Sequence, residues 1–230
     1  GNPPTGALAD YLPRMRALLG RLDDPQKSFK TLIIGGTNGK GTTSSLLAAL
    51  LRASGKRVGL YTSPHLHTVR ERIQIDGEVT PRDVWADGVT RLYEKSRDFE
   101  REGFGALSKF EALTALATCL FAEADVEYGI FEVGLGGQYD ATNAWDSEAA
   151  VLTAIQLDPT AILGDTVAEI ALDKVHISRA GKPLFVSALQ QAEVLDVLTE
   201  DCKRRNVHLH MVEETVDDLP GRSKTFLQNA

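Results

Sequence analysis

Short apolar runs and amphipathic segments alternate along most of the chain. Unbroken apolar runs are typical of strands that are buried on both faces. They predict strands at residues 30–36, 57–62, 128–133, 149–155, 183–186 and 207–212. Helical spacing of apolar residues predicts helices at about residues 8–19, 42–53, 81–102, 107–124, 167–179 and 190–205. This alternation predicts an α/β fold, with a doubly wound, mostly parallel sheet that is covered by helices on both faces.

The stretch from residue 63 to about residue 80 is polar, and we predict a long loop there in which residues 72–75 have strand character. Ligands of parallel sheets bind at the carboxyl ends of the strands. The loops after Ile34, Tyr61, Phe131 and Ile155 are therefore the candidate sites.

The composition of the 230 residues is that of an ordinary globular protein, with 43% apolar and 25% charged residues. The formal net charge of −7 argues against a general nucleic-acid binder, which usually carries a basic surface. No apolar run has the roughly 18 residues of a membrane span, and no signal-peptide pattern opens the sequence. Two cysteines cannot form a disulfide framework. We therefore expect a cytoplasmic protein without nucleic-acid or membrane partners.

Residues 35–43 (GGTNGKGTT), between a predicted strand and a predicted helix, have the composition of a phosphate-binding loop. Glycines allow successive backbone N–H groups to face phosphate oxygens, and the helix N-terminus adds its positive end. Lys40 can reach the β- and γ-phosphates, and the Thr42 hydroxyl can bind Mg²⁺. The spacing differs from the standard pattern because Gly41 intervenes before Thr42. The predicted nucleotide-binding residues are Thr37, Asn38, Gly39, Lys40, Gly41, Thr42 and Thr43.

The segment GTNGKGT resembles the phosphate loop of the Mur-ligase superfamily of ATP-dependent amide ligases. Further segments resemble one branch of it, the folylpolyglutamate and dihydrofolate synthases. They are YTSPHL at 61–66 with ERI at 71–73, FE at 110–111, and EVGLGG at 132–137 with DATN at 140–143. The similarity continues through residues 163–164 and 180–183, and therefore covers nearly the whole chain. It implies a sheet of the Mur-ligase central-domain type.

The resemblance also implies an enzyme, an ATP-dependent carboxylate–amine ligase that adds L-glutamate to a pteroate or folate carboxylate. That carboxylate would accept the γ-phosphoryl group to form an acyl phosphate, which the glutamate amine would then attack. A lysine and a metal ion would neutralise the charge that develops on the phosphoryl oxygens. The implied cofactors are ATP and Mg²⁺, the partners are these small-molecule substrates, and we expect a monomer or weak oligomer.

Residue roles follow from the same resemblance. Lys40 and Lys174 are implied to be catalytic, and Ser63, Glu132 and Thr42 to hold Mg²⁺. Implied substrate-binding residues are His65, Phe110, Glu111, Tyr139, Asp140 and Ala141, and Asn229 is implied to contact ATP.

Alternatives stay open for three of these residues when each is considered alone. Ser63 precedes a proline and is also typical of a turn. Phe110 fits the apolar stripe of its helix. His65 suits a ligand contact as well as a hydrogen bond within the loop.

Three positions depart from the resembled family. Pro159 stands where the family has a metal-binding histidine, and Gln138 stands where it has an arginine. Lys174 aligns with a family lysine that is usually carbamylated, but the residues around it differ, and His176 lies on another side of the predicted helix. These departures support a second hypothesis, a catalytically impaired relative that binds nucleotide or folate. A third hypothesis is another Mur-type amino-acid ligase, against which the SPHL and FE segments argue.

The domain prediction is an ATP-binding domain at residues 1–215. Residues 216–230 are predicted to be a linker to a C-terminal domain that is absent from this chain.

Overall fold

The computed structural model describes residues 11–157 and 163–212. Its strands are β1 (Lys30–Gly35), β2 (Val58–Tyr61), β3 (Ile73–Ile75), β4 (Glu78–Val79), β5 (Tyr128–Glu132), β6 (Ala149–Leu152), β7 (Pro183–Ser187) and β8 (His208–Val212). Its α-helices are α1 (Tyr11–Arg21), α2 (Lys40–Ala53), α3 (Arg82–Ser96), α4 (Lys109–Glu123), α5 (Val167–Val175) and α6 (Ala192–Arg205). Asn229, Pro159 and the predicted linker at 216–230 lie outside the described residues.

All eight strands form one sheet in the order β4-β3-β2-β5-β1-β6-β7-β8. Six of them are parallel, and only the short hairpin of β3 and β4 runs antiparallel at the edge beside β2. The sequence around 72–75 therefore does contain a strand, as predicted. This arrangement confirms the predicted α/β class and the mostly parallel sheet.

Helices cover both faces because successive residues of a buried strand point to opposite faces. Ile34, Leu60 and Ile130 pack with α2 on one face. On the other face, Tyr61 and Phe131 pack with α1, α3 and α4, and Ile33 packs with α5 and α6. Because both faces of these strands are buried, their sequences are unbroken apolar runs, and such runs are what predicted the strands.

The predicted helix at 81–102 is wrong at its end, because α3 stops at Ser96 and turns follow. The predicted starts of α4 and α5 agree better with the structure, because the sequence provides an N-cap residue at each. Ser108 caps α4 by accepting a hydrogen bond from Glu111 N, and Thr166 does the same for α5 with Glu169 N. Such caps satisfy N–H groups that have no partner inside the helix.

A buried ion pair joins α1 to α4. Arg14 Nε and Nη2 donate to the two carboxylate oxygens of Glu111 at 2.8 and 2.9 Å, and Arg14 Nη1 donates to the Phe104 carbonyl oxygen. The Glu111 side chain is 1% exposed and that of Arg14 10%. Because a buried charge is stable only when it is paired, each residue depends on the other.

Glu111→Gln should therefore lower the free energy of unfolding by about 3 kcal/mol, because it leaves the buried Arg14 guanidinium without a counter-charge. Chemical denaturation measures this value. The matched control is Glu123→Gln, also on α4, which breaks a half-exposed pair between Glu123 and Arg91 of α3 and should cost less than about 1 kcal/mol. Equal losses in the two variants would contradict a structural role for the buried pair.

Candidate functional site

The carboxyl ends of β2, β5, β1 and β6 meet at one edge of the sheet, where the candidate loops begin. Ser63 follows β2, Glu132 ends β5, and Gly36 follows β1. Ser63 N donates to Glu132 Oε2 at 2.7 Å. The structure thus brings together the two residues that the resemblance implies as metal ligands.

Glycine is required at two positions of the phosphate loop. Gly36 has a φ of +130°, and a Cβ there would lie 2.0 Å from Thr153 Oγ1. Gly39 has a φ of +86° and caps α2, which has no side-chain cap at its N-terminus. The first-turn N–H groups of α2 are therefore available to an anion at this helix end.

Two lysines converge on one backbone oxygen of this loop. Lys40 Nζ donates to the carbonyl oxygens of Gly36 and Thr37 at 3.3 and 3.2 Å. Lys174 Nζ, on a side chain that is 3% exposed, donates to the same Gly36 oxygen at 3.0 Å. Lys174 lies 134 positions from Lys40 in the sequence, so only the tertiary structure places both charges beside the phosphate loop.

The other side of the loop is attached to the segment that follows β6. Thr37 N donates to the Ala154 carbonyl oxygen at 2.8 Å, and Asn38 Nδ2 donates to Gln156 Oε1 at 2.9 Å. Thr37 Oγ1 both donates to the Gln156 carbonyl oxygen and accepts from Gln156 N. Thr37 and Asn38 thus fix the loop, while Thr42 at the start of α2 is exposed.

The Glu132 carboxylate lies against the first turn of α2. A Cβ on Gly41 would be 3.6 Å from Glu132 Oε2, so the backbone of this turn approaches the carboxylate closely. Burial raises the pKa of Glu132, while the Ser63 N–H and the positive charges of Lys40 and Arg72 oppose this shift. A carboxylate in this environment gains from a nearby cation.

Asp140 organises the glycine-rich loop that follows β5. Its Oδ2 accepts hydrogen bonds from the N–H groups of Gly134 and Leu135, and its Oδ1 accepts from Thr142 N and Thr142 Oγ1. Asp140 is buried, and burial raises its pKa against the effect of these hydrogen bonds. Both carboxylate oxygens are therefore engaged within the loop.

The other implied substrate-binding residues differ in accessibility. Tyr139 is 37% exposed, whereas Ala141 is 2% exposed and belongs to the hydrophobic core. Phe110 is partly buried against Tyr61, with ring centroids 5.7 Å apart, and its ring lies beside Gly134. Both carboxylate oxygens of Glu111 accept hydrogen bonds from Arg14. Of these four side chains, Tyr139 is the most accessible to a ligand.

Glu71 holds the loop of Ser63 in place. Its carboxylate accepts hydrogen bonds from the N–H groups of Leu66, His67 and Thr68 at 2.9, 3.0 and 2.7 Å. The Leu66 and Thr68 N–H groups lower the pKa of Glu71. We did not predict this role from the sequence, although the spacing of Thr68 and Glu71 is that of a capping box.

His65 takes part in the same loop. Arg72 Nε donates to His65 Nδ1 at 3.0 Å. Arg72 also lies near enough to Glu132 for its charge to affect that carboxylate. Of the two alternatives for His65, the hydrogen bond within the loop is present.

The departures at Gln138 and His176 lie away from Lys40. Both residues line a cavity of about 680 Å³, whereas the phosphate loop, Lys174 and the glycine-rich loop line a separate cavity of about 30 Å³. His176 Nδ1 contacts the Leu172 carbonyl oxygen at 2.6 Å. As helical geometry predicts, His176 does not share the environment of Lys174.

Within residues 11–157 and 163–212, no group of three or more His, Cys, Asp or Glu side chains could hold a metal ion. No helix in this described part is long and apolar enough to cross a membrane.

No protein-family model matches the sequence. Curated relatives do match it. The dihydrofolate synthase/folylpolyglutamate synthase of Bacillus subtilis is 37% identical over 194 residues, which are 84% of this chain and 45% of that protein. The protein of the same name from Mycobacterium tuberculosis is 38% identical over 213 residues, which are 87% of this chain and 44% of that protein. A probable bifunctional folylpolyglutamate synthase/dihydropteroate synthase of Haloferax volcanii is 41% identical over 191 residues, 81% of this chain and 22% of its own length.

Solved structures agree with these relatives. Mycobacterium tuberculosis folylpolyglutamate synthase complexed with ADP has a TM-score of 0.82 and 35% identity, covering 88% of this chain and 46% of that one. A folylpolyglutamate synthase complex with AMPPCP and folate has a TM-score of 0.85 and 30% identity, covering 96% and 54%. These matches confirm the resemblance and the Mur-ligase type of the fold, and they cover the N-terminal domain of those enzymes. The chain spans less than half the length of the curated relatives named here.

Glu71→Ala should release the loop of Ser63, because three backbone N–H groups lose one charged acceptor. We expect amide hydrogen exchange at residues 66–68 to become about tenfold faster, as in local opening. Exchange read by NMR tests this, and Glu78→Ala is the control, since Glu78 is exposed on β4. Unchanged exchange at residues 66–68 would show that Glu71 does not hold the loop.

Proposed function

We propose that this chain is the ATP-binding part of an ATP-dependent ligase of the folylpolyglutamate/dihydrofolate synthase type. The reaction is the addition of L-glutamate to a pteroate or folate carboxylate. One observation carries the proposal, the convergence of Lys40 and Lys174 on Gly36 beside the Glu132–Ser63 pair. The similarity to synthases over more than 80% of this chain supports it.

The phosphate loop supplies what a triphosphate needs. The N–H groups at the start of α2 have no side-chain cap, and the glycines at 36 and 39 keep the loop free of side chains there. Lys40 is half-buried, and within the described residues its Nζ hydrogen-bonds only to backbone carbonyl oxygens and forms no ion pair, although the Glu132 carboxylate lies near enough to be affected by its charge. We assign Thr37, Asn38 and the residues up to Thr43 to nucleotide binding on this basis, with Lys40 at the β- and γ-phosphates.

Ser63, Glu132 and Thr42 are the residues that would hold Mg²⁺. Their hydroxyl and carboxylate oxygens are the hard donors that this ion prefers, and burial of Glu132 favours a cation beside it. These are few protein ligands, which suits Mg²⁺ because it commonly keeps water and nucleotide oxygens in its coordination shell. When bound there, the ion would neutralise charge on the phosphoryl group.

Lys174 and Lys40 would stabilise negative charge during phosphoryl transfer, because both are fixed near the phosphate loop by the Gly36 oxygen. Tyr139 and Phe110 would contact the pterin-bearing substrate beside the glycine-rich loop. Four further residues would act on this substrate mainly by fixing the shape of its binding site, because their side chains are buried or already hydrogen-bonded within the protein: Asp140, Ala141, Glu111 and His65. Residues from the other half of the longer relatives would complete the site, and we include Asn229 among the ATP contacts.

The proposal includes a cytoplasmic protein that is a monomer or weak oligomer. The net charge of −7 supports small-molecule substrates rather than nucleic acid as partners. A second candidate function is nucleotide or folate binding without catalysis. The glutamine at position 138, where the resembled synthases have arginine, favours it.

Lys40→Ala should weaken ATP binding at least about tenfold, or 1.4 kcal/mol, because it removes the cation nearest the phosphates. Isothermal titration calorimetry measures the affinity. Lys203→Ala, on an exposed part of α6, is the charge-matched control and should bind as the unaltered chain does. The phosphate-loop assignment would be lost if both variants bound ATP equally.

Glutamate addition should require more than this chain. A carboxylate that has been activated by phosphorylation must be kept from water, and closure of a second domain is one way to do so. We expect mass spectrometry to detect no glutamate adduct when the chain alone is given ATP, Mg²⁺, L-glutamate and either pteroate or a reduced folate.

The same assay separates the two candidate functions. Adduct formation after the chain is joined to the C-terminal half of the Bacillus subtilis synthase would support the ligase, with Lys40→Ala as the inactive control. Binding of ATP without any adduct in the joined protein would favour the non-catalytic candidate. Multiple turnovers by the chain alone would contradict the need for closure.

A further inference from the structure

The cavity of about 680 Å³ lies at the edge of the sheet opposite to the phosphate loop. Phe29 in its wall precedes β1, Asp146 precedes β6, and Arg179 precedes β7. Because these strands are parallel, their first residues share an edge about 17 Å from the carboxyl end of β1, at roughly 3.3 Å per residue. The volume is that of a small-molecule site. None of its lining residues is among those assigned above to ATP, Mg²⁺ or the substrates, although Gln138, which stands where the resembled synthases have arginine, is one of them.

Of the three cationic side chains in the cavity wall, Lys27 and Arg179 are paired with carboxylates, whereas Arg16 forms no ion pair within the described residues. Arg16, Lys27 and Arg179 line the cavity together with one carboxylate, Asp146. The side chains of Asp146 and Lys27 are 92% and 74% exposed, and Arg16 is also exposed, so water screens all three charges in part. Lys27 is paired with Asp24, which is not part of the wall.

Arg179 is fully engaged as a structural residue. Its Nε donates to Asp146, its Nη1 donates to the carbonyl oxygens of residues 176–178, and its Nη2 donates to those of Asn143 and Trp145. These bonds hold the segment before β6 against the end of α5. Arg179 therefore fixes the wall and brings a partly buried charge to it, but has no donor left for a ligand.

Arg16 differs from Arg179 in this respect. Its Nε donates to the Ala144 carbonyl oxygen at 2.8 Å, and the described residues offer no partner to its two Nη groups. Two Nη groups of a fixed guanidinium form the fork that binds a carboxylate or phosphate in bidentate fashion. Burial lowers the pKa of Arg179, and the positive charge of Arg16 contributes to the same shift. An anion between the two guanidinium groups would relieve this repulsion.

The rest of the wall suits an organic molecule better than a bare ion. Phe29 and Trp145 provide flat apolar surfaces, and Trp145 is held by its indole N–H, which donates to Thr31 Oγ1. Gln26 Oε1 and Asn143 Oδ1, on two other lining residues, accept no hydrogen bond from the described residues. Buried polar atoms of this kind are usually satisfied in native proteins.

We propose that this cavity binds a small molecule that carries a phosphate or carboxylate group, with the oxyanion held by the Nη groups of Arg16 and an apolar ring beside Trp145. The proposal does not depend on the function proposed above. It concerns a second site, on the opposite edge of the sheet.

Tryptophan fluorescence tests the proposal, with phenyl phosphate, inorganic phosphate and benzoate as probes. The chain has two tryptophans, so Trp85→Phe leaves Trp145 as the only reporter. Lys40→Ala in the same protein removes the phosphate-loop contact, so that failure of the ATP assignment does not affect the result. In this background we expect saturable binding of phenyl phosphate or benzoate, tighter than that of inorganic phosphate. The relative affinities of phenyl phosphate and benzoate decide between a phosphate and a carboxylate ligand.

Arg16→Gln should raise the dissociation constant at least about tenfold, since it removes the charged fork. Lys203→Gln removes one charge from an exposed position of α6 and should change it less than about twofold. Arg16→Lys, which keeps the charge without the fork, should give an intermediate value and guards against misfolding of the first variant. Equal affinities in Arg16→Gln and Lys203→Gln, or no saturable binding of any probe, would overturn the proposal.

Discussion

The carbonyl oxygen of Gly36 accepts hydrogen bonds from Lys40 and Lys174, and the arrangement of the candidate site depends on this shared acceptor. Residue 36 can take this position only because glycine lacks a side chain, since Thr153 lies where a Cβ would be. A carbonyl oxygen orients two ammonium groups without itself adding a negative charge beside them. A carboxylate at the same point would bind them more strongly, but it would remove the positive field that attracts phosphate.

Two residues that the resemblance implies as substrate-binding residues have a structural role in this chain: they hold together the backbone segments around the candidate site. Asp140 fixes the glycine-rich loop through backbone N–H groups, and Glu111 is paired with Arg14 between two helices. Glu71 performs the same task for the loop of Ser63. Carboxylates suit this task because one group accepts several hydrogen bonds, and each is stronger for the charge.

The two edges of the sheet carry different chemistry on one scaffold. At the carboxyl ends of the strands, backbone N–H groups, lysines and the Glu132 carboxylate suit a nucleotide with a metal ion. At the amino-terminal ends, Arg16 and Arg179 lie beside aromatic rings. The segment from Val133 to Asp146 runs between these edges, since it leaves β5 and leads into β6. Asp140 and Arg179 each anchor one part of it.

The sequence by itself determined the order of the strands and helices, except for the two-residue strand β4 within the predicted loop, and the place of the phosphate loop. Apolar runs such as that of Ile33 and Ile34 predict strands because a buried parallel strand has no polar face. The segment of Gly39 and Lys40 is contiguous, so its geometry follows from local rules alone. Strand ends agreed with the prediction to within about three residues, whereas the helix begun at Arg82 ended earlier than predicted because no cap or apolar spacing marks its end.

Only the tertiary structure decided which distant side chains became partners. Arg14 pairs with Glu111, and Lys174 reaches Gly36, across separations of 97 and 138 residues. The same is true of Arg16 and Arg179, whose shared cavity no contiguous pattern indicates. Periodicity tells which face of a helix or strand is buried, but not which other element covers it. Partners are therefore set by how the faces pack, and packing depends on the whole chain at once.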